Sequence, residues 1–177
     1  MNIIFFLPLF IGFCLNILAS IHVRKKAELL LTNPYLPLPD LIHNNVPKIP
    51  VLIPDYFLFT CGCVTIFNYN SLVNIEKNLL CVGLCTIIRS FSVFLTIMPT
   101  CMPEPNDTVE YIYTKLFLST HDLMFSGHSL FFISIGNMLN SHFIKIFGPF
   151  LLVIARQHYT IDVCVSGLVY FFVYSNI

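Results

Sequence analysis

Six stretches of this chain are almost continuously apolar, at about residues 3–21, 51–67, 79–98, 123–139, 143–155 and 161–174. A chain of 177 residues cannot hide six such runs from water in one core. A lipid bilayer removes the need, because apolar side chains can face its hydrocarbon. Crossing it takes roughly 20 apolar residues as a helix, fewer where the bilayer is thin. The last two runs fall short of that length, and Gly148-Pro149 is expected to break the fifth. The runs are continuous rather than alternating, which selects helices over a barrel. The expected fold is therefore all-α: a polytopic membrane protein with about six transmembrane helices. Residues 1–177 are expected to form one membrane domain.

Composition agrees. Hydrophobic residues make up 56% of the chain and charged residues 10%, with a mean hydropathy of +0.81. Such a chain is too apolar for intrinsic disorder. Nine Lys and Arg balance nine Asp and Glu, so there is no basic excess for phosphate backbones and no nucleic-acid partner is expected. The seven cysteines form no CxxC pair, and all but Cys101 lie in apolar runs, where small core residues are expected. The first run lacks a basic segment before it. Arg24-Lys25-Lys26 follows it instead, so it reads as an uncleaved span rather than a signal peptide.

Two connections are long. Residues 22–50 contain Pro34, Pro37, Pro39, Pro47 and Pro50, so an extended or turned segment is expected. Residues 99–121 form the second. With six crossings, both loops share one membrane face with the connection at 156–160. Ser126-Gly127-His128 and His158-Tyr159-Thr160-Ile161-Asp162 then come to the same face.

These two groups hold the chemistry. His158 and Asp162 are four residues apart, on one face if both are helical. A carboxylate on one imidazole nitrogen fixes the tautomer and makes the other nitrogen more basic, as a nucleophile or general base requires. The pair fits equally a structural histidine satisfied by a nearby acid. Ser126 and Gly127 open the fourth run, where backbone N–H groups at a helix start can hold an anion with His128 beside it. A plain junction capped by Ser126 is the alternative. Two histidines and an aspartate also suit a metal, but no HExxH or acidic cluster accompanies them, so no metal or other cofactor is expected. Arg89 lies in the middle of the third run. A charge there costs about 2.5–3.5 kcal/mol to insert, so it should face a polar interior, either to contact phosphate or to pair with Asp55 or Asp122.

Taken together, four motifs in order resemble the sphingomyelin synthase-related family of membrane lipid phosphotransferases, within the wider PAP2 lipid-phosphatase fold. Leu36-Pro37-Leu38-Pro39-Asp40 resembles the first-loop PLPD motif. Arg89 to Pro99 resembles a motif opening with Arg and closing in Leu-Pro. Asp122 to Ser129 resembles D-x-x-x-SGH-T, and Gln157 to Val163 resembles HYTIDV. Ser119-Thr120-His121 stands where relatives have Cys-Gly before the aspartate, and Ser129 replaces threonine. The SGH and HYTID motifs lie within residues 122–163.

The resemblance implies a PAP2-like helical bundle and a metal-free, two-step phosphotransfer. His158 is the implied nucleophile, Asp162 orients it, and His128 is the acid and base. Arg89, Ser126 and Gly127 are the implied phosphate contacts. The implied partners are a phospholipid donor and a ceramide or diacylglycerol acceptor in the bilayer. Ceramide gives a sphingomyelin-type product, diacylglycerol a headgroup exchange, and water a lipid phosphatase reaction. The Lys…Arg-Pro motif of PAP2 phosphatases is missing, which favours transfer over hydrolysis. The resemblance also implies a Golgi, ER or plasma membrane, with the site on the lumenal or exoplasmic face. The basic residues point the other way: Arg24, Lys25, Lys26, Lys48, Lys115 and Arg156 share the active-site side. The sequon Asn106-Asp107-Thr108 on that side favours the lumen.

Overall fold

The computed structural model describes residues 6–30, 37–68, 74–101 and 125–177. Seven helices occur among them, and no strand. They are α1 (Phe6–Leu30), α2 (Leu41–Asn45), α3 (Leu52–Phe67), α4 (Ile75–Leu95), α5 (Gly127–Met138), α6 (His142–Ile154) and α7 (Thr160–Asn176). Each of the six apolar runs holds one helix, and α2 is extra.

Two helical segments, Phe6–Ala27 and Ile75–Leu95, are long and apolar enough to cross a membrane. The apolar helices α3, α6 and α7 are shorter than that. Among the described residues, helix length thus supports two crossings and does not by itself establish the expected six. The outward faces are nonetheless those of a protein solvated by lipid. Phe10, Leu168 and Phe172 are 67%, 72% and 71% exposed, within broad apolar surfaces.

Two expectations are corrected. The segment 22–50 is not wholly extended. Helix α1 continues to Leu30, because no proline or glycine interrupts the chain before Pro34 and Arg24 to Leu30 are mostly good helix formers. Further on, Asp40 starts α2, its Oδ1 accepting from the N–H groups of Ile42 (3.0 Å) and His43 (3.3 Å). Nor does Gly148-Pro149 break the fifth run, since α6 passes through Pro149. Gly148 faces the ring of Phe132, where a Cβ would lie 2.3 Å from Cδ1. This close packing holds the helix together across the hydrogen bond that proline removes.

Helix α1 lies along α4, and two glycines set their distance. A Cβ at Gly12 would lie 2.9 Å from the carbonyl oxygen of Gly83, and one at Gly83 would lie 2.6 Å from the Leu9 nitrogen. Small residues at a crossing let backbones meet, which drives helix association where lipid replaces water. The main core joins α4, α5 and α7 through Cys81, Cys85, Leu130, Ile133, Tyr170 and Val173. Phe57 of α3 stacks with Phe132 of α5 and meets Phe143 and Phe147 of α6 edge-on. Near the start of α4, the buried Tyr170 hydroxyl donates to Asn78 Oδ1 and accepts from Asn137 Nδ2 at 3.0 Å.

All seven cysteines are free. Cys61, Cys81 and Cys85 are buried, as expected of small core residues, and so is Cys101 outside the apolar runs. Cys14 and Cys164 instead face outward, where an apolar surface suits a thiol equally well.

Candidate active site

One end of the bundle gathers the chain from α2, the end of α4, the start of α5 and the connection into α7. Tyr159 joins three of these. Its hydroxyl accepts from the Leu38 N–H (2.9 Å) and donates to the Pro99 carbonyl (3.2 Å). The described parts of both long loops therefore meet the last connection, as the sequence predicts.

His158 is not on a helix. It precedes α7, whose first turn carries Asp162. The i, i+4 pair still forms, because Asp162 reaches back along its own helix N-terminus. Its Oδ2 accepts from the Tyr159 N–H at 2.9 Å and lies 3.5 Å from His158 Nδ1. Asp162 is fully buried and His158 is 6% exposed. That nitrogen–oxygen distance is an ion-pair contact at the outer edge of hydrogen bonding, and such contacts tighten when substrate binds. With Nδ1 turned to Asp162, Nε2 is the nitrogen left for chemistry. The His158 carbonyl oxygen is held 3.2 Å from His43 Nε2. Two residues earlier, Arg156 takes a left-handed backbone with φ 58°, and its guanidinium donates to the His43 carbonyl at 3.0 Å.

His128 is the second residue of α5, with its ring centroid 6.3 Å from that of His158 and the planes 54° apart. Its Nε2 lies 3.7 Å from Asp55 Oδ1. Asp55 Oδ2 accepts from Gln157 Nε2 at 3.0 Å.

Ser126 caps α5, its hydroxyl accepting from the Ser129 N–H at 3.2 Å. It is fully buried and bound to α7: its N–H donates to the Asp162 carbonyl (3.4 Å), and its carbonyl accepts from Ser166 Oγ (3.0 Å). The Ser166 hydroxyl also reaches the Asp162 carbonyl at 2.6 Å. Ser126 thus locks the SGH segment to the HYTID segment. Arg89 is buried among α1, α4 and the start of α5. Its Nε donates to the Phe125 carbonyl at 2.6 Å and an Nη to Asn16 Oδ1. A Cβ on Gly127 would lie 3.4 Å from Arg89 Nε, so the guanidinium sits against the α5 N-terminus. Asp122, the other acid of the SGH motif, lies outside the described residues.

The PLPD segment supports the site from below. Asp40 Oδ2 accepts from the Thr160 N–H at 2.7 Å and Oδ1 from the Thr160 hydroxyl at 2.9 Å. Burial raises the Asp40 carboxyl, but the donors from Thr160 and His43 outweigh it and hold the group below the usual carboxylate range. Burial pushes the Tyr159 phenol up to about 12 and the Cys101 thiol well above its usual value. Cys101 donates to the Arg156 carbonyl at 3.0 Å.

The structure thus brings His128, His158, Asp162, Ser126, Gly127 and Arg89 to one end. Sequence reasoning gave no role to Asn16 or Tyr159, and named Asp55 only as a partner for Arg89. A charged residue opening an apolar run is a signal in itself, and Asp55 carried it. Tyr159 stood inside the HYTID motif without a role of its own, and Asn16 showed only as a polar residue in an apolar run. Among the described residues, no three His, Cys, Asp or Glu side chains are grouped to hold a metal ion.

No family model matches the chain. It is similar to a curated protein of Caenorhabditis elegans, sphingomyelin synthase-related 1, with 26% identity over 173 aligned residues. The match covers 76% of this chain but only 36% of the relative, so the chain spans about a third of that protein's length. The likeness between the four motifs and the sphingomyelin synthase-related family is therefore borne out by a curated relative that bears the family's name.

Proposed function

We propose that the chain is a membrane lipid phosphotransferase that moves a phosphocholine or phosphoethanolamine headgroup from a glycerophospholipid to ceramide. One observation carries the reading: two histidines face each other at 6.3 Å, one backed by a buried aspartate at 3.5 Å. A nucleophile oriented by a carboxylate, with a separate acid and base beside it, is what a double displacement at phosphorus needs.

In the first step His158 Nε2 attacks phosphorus. An N–P bond forms and the bond to the diacylglycerol oxygen breaks. The electron pair goes to that oxygen, which takes a proton from His128. Asp162 balances the charge on the substituted imidazole. In the second step His128 removes the acceptor hydroxyl proton, the freed oxygen attacks phosphorus, and the N–P electron pair returns to Nε2. In this reading Arg89 and the N-terminus of α5 bind the phosphoryl oxygens.

The proposal includes six crossings of one membrane domain, the short helices being accommodated by local thinning or tilt, and a lumenal or exoplasmic site in the Golgi, ER or plasma membrane. Membranes containing the protein are given labelled ceramide and phosphatidylcholine, and the lipids are separated by thin-layer chromatography. Headgroup on ceramide supports the proposal. Release of the headgroup into water as free phosphocholine would indicate the hydrolytic alternative, a PAP2-type lipid phosphatase, and exchange onto diacylglycerol a headgroup exchanger. Absence of all three would overturn enzymatic transfer.

A further inference from the structure

Asp55 has no part in that scheme, yet its position is specific. It lies in the first turn of α3, on an otherwise apolar helix where a carboxylate is costly to keep. One of its oxygens is 3.7 Å from His128 Nε2, and the other accepts from Gln157 Nε2 at 3.0 Å. Gln157 is almost fully buried and immobilised. Its side chain also donates to the Val51 carbonyl (2.8 Å), its N–H donates to the Leu152 carbonyl (3.0 Å), and His158 follows it directly. One carboxylate therefore faces one histidine and braces the residue next to the other.

We propose that Asp55 is the positioning residue of His128, fixing the proton on Nε2 and presenting Nδ1 to the reacting lipid oxygens; the catalytic part of this rests on the phosphotransfer reading. A carboxylate at one ring nitrogen selects the tautomer and favours the imidazolium. His128 then enters the first step as a cation. It gives its Nδ1 proton to the departing diacylglycerol oxygen, and the same Nδ1 takes the proton of the acceptor hydroxyl. The Nε2–H stays turned to Asp55 in both steps, so the ring need not flip between acid and base roles. The site would hold two His–Asp pairs of different kind: His158 with Asp162, buried, and His128 with Asp55, open to substrate. Among the described residues, the other charged or titratable groups near His128 include His158 from the connection before α7, Asp162 behind it, and Arg89 of α4 against Gly127.

The alternative role is structural, with Asp55 serving only Gln157. Asp55→Asn separates the two, because the amide keeps an acceptor for Gln157 but loses the charge. In the purified full-length chain in nanodiscs, carboxyethylation of each histidine by diethyl pyrocarbonate is followed against pH by peptide mass spectrometry. In Asp55→Asn the His128 midpoint should fall by about one pH unit. The kcat for headgroup transfer should drop roughly tenfold with KM little changed. An unmoved His128 midpoint overturns the proposal. A shifted midpoint in a protein whose wild type transfers no headgroup leaves the pair standing and removes the phosphotransfer reading. Nitrogen-15 spectra of histidine-labelled wild type, assigned with His128→Gln, need no Asp55 variant. A His128 ring with Nε2 protonated supports the pairing, and a neutral ring protonated on Nδ1 overturns it.

Discussion

Asp40 grips Thr160 with both carboxylate oxygens, across 120 residues of sequence, taking its N–H at 2.7 Å and its hydroxyl at 2.9 Å. Thr160 opens the helix that carries Asp162, so the first-loop motif sets where the partner of His158 stands. Hydrogen bonds to a charged group contribute about 1.5–3 kcal/mol each. Asp40→Ala should therefore lower the melting temperature by several degrees and reduce turnover with it, as thermal unfolding in detergent would register. The pH dependence has a definite sign. The folded carboxyl lies below its ordinary value of 3.8, so its contribution is complete above that pH and is lost as pH falls through the depressed value. Wild type and Asp40→Ala should converge in stability under strong acid. A constant gap down to the lowest pH at which the protein folds would contradict this.

Tyr159 makes a second, neutral junction between the same loops. Tyr159→Phe removes the hydroxyl that accepts from Leu38 and donates to Pro99, leaving a part-buried N–H and a carbonyl without that partner. A loss of about 1–3 kcal/mol is expected. With the phenol pushed up to about 12, the difference between the two proteins should stay level from pH 7 to about pH 10. Parallel melting curves over that range would confirm it, and a difference that vanished by pH 9 would not fit.

The two histidines should fail differently. On the proposed scheme His158→Ala removes the nitrogen that would bond to phosphorus, so transfer and any acid-labile phosphoenzyme should disappear together. His128→Ala should lower kcat by about 10²–10⁴-fold. Its labelled intermediate should form slowly. Near-normal turnover in His158→Ala would dismiss the covalent route.

Arg89 touches both Asn16 and the Phe125 carbonyl, so its variants test more than charge. Arg89→Lys keeps the cation but cannot reproduce the planar fork that serves two partners. It should lose at least tenfold in kcat/KM while the protein still accumulates in membranes. Arg89→Leu should fall further in activity. If abundance and activity collapse in proportion in both variants, the arginine serves folding alone.

Much of this arrangement was legible in the sequence, and the misses have physical causes. Each apolar run appears as a helix, because a long apolar stretch in lipid must satisfy its own backbone. The extension of α1 to Leu30 was hidden by reading the prolines of 34–50 back onto residues that contain none. The approach of His158 to Asp162 was foreseen for an incomplete reason: the histidine is outside the helix, and a backbone-capping aspartate brings them together. Asp55 was legible as a charge but not as a partner of His128, since α3 and α5 are paired only by tertiary packing. Asn16 is a polar residue in an apolar run, and nothing local connects it to a site 73 residues away.

Two opposed rules bear on membrane orientation, and the two ends of the bundle carry different charges. Lys48 and Arg156 belong to the active-site end. Lys77, at the opposite end, lies over the Tyr174 ring at 4.5 Å. The positive-inside rule would put the active-site end in the cytosol. The family resemblance and the Asn106 sequon, which lies outside the described residues, favour the lumen or cell exterior. The first basic cluster, Arg24-Lys25-Lys26, continues α1 rather than starting a free loop. The exposed Lys25 and Lys26 can therefore lay their stems along apolar surface while the charges reach headgroups, which tolerates either face. A lumenal site predicts a glycosidase-sensitive mass shift that disappears in Asn106→Gln. The control places a cysteine by Asp107→Cys in a background with Cys14 and Cys164, the two exposed cysteines, changed to serine. Labelling by an impermeant maleimide from the lumenal side is expected, and labelling only after the cytosolic face is opened would reverse the orientation.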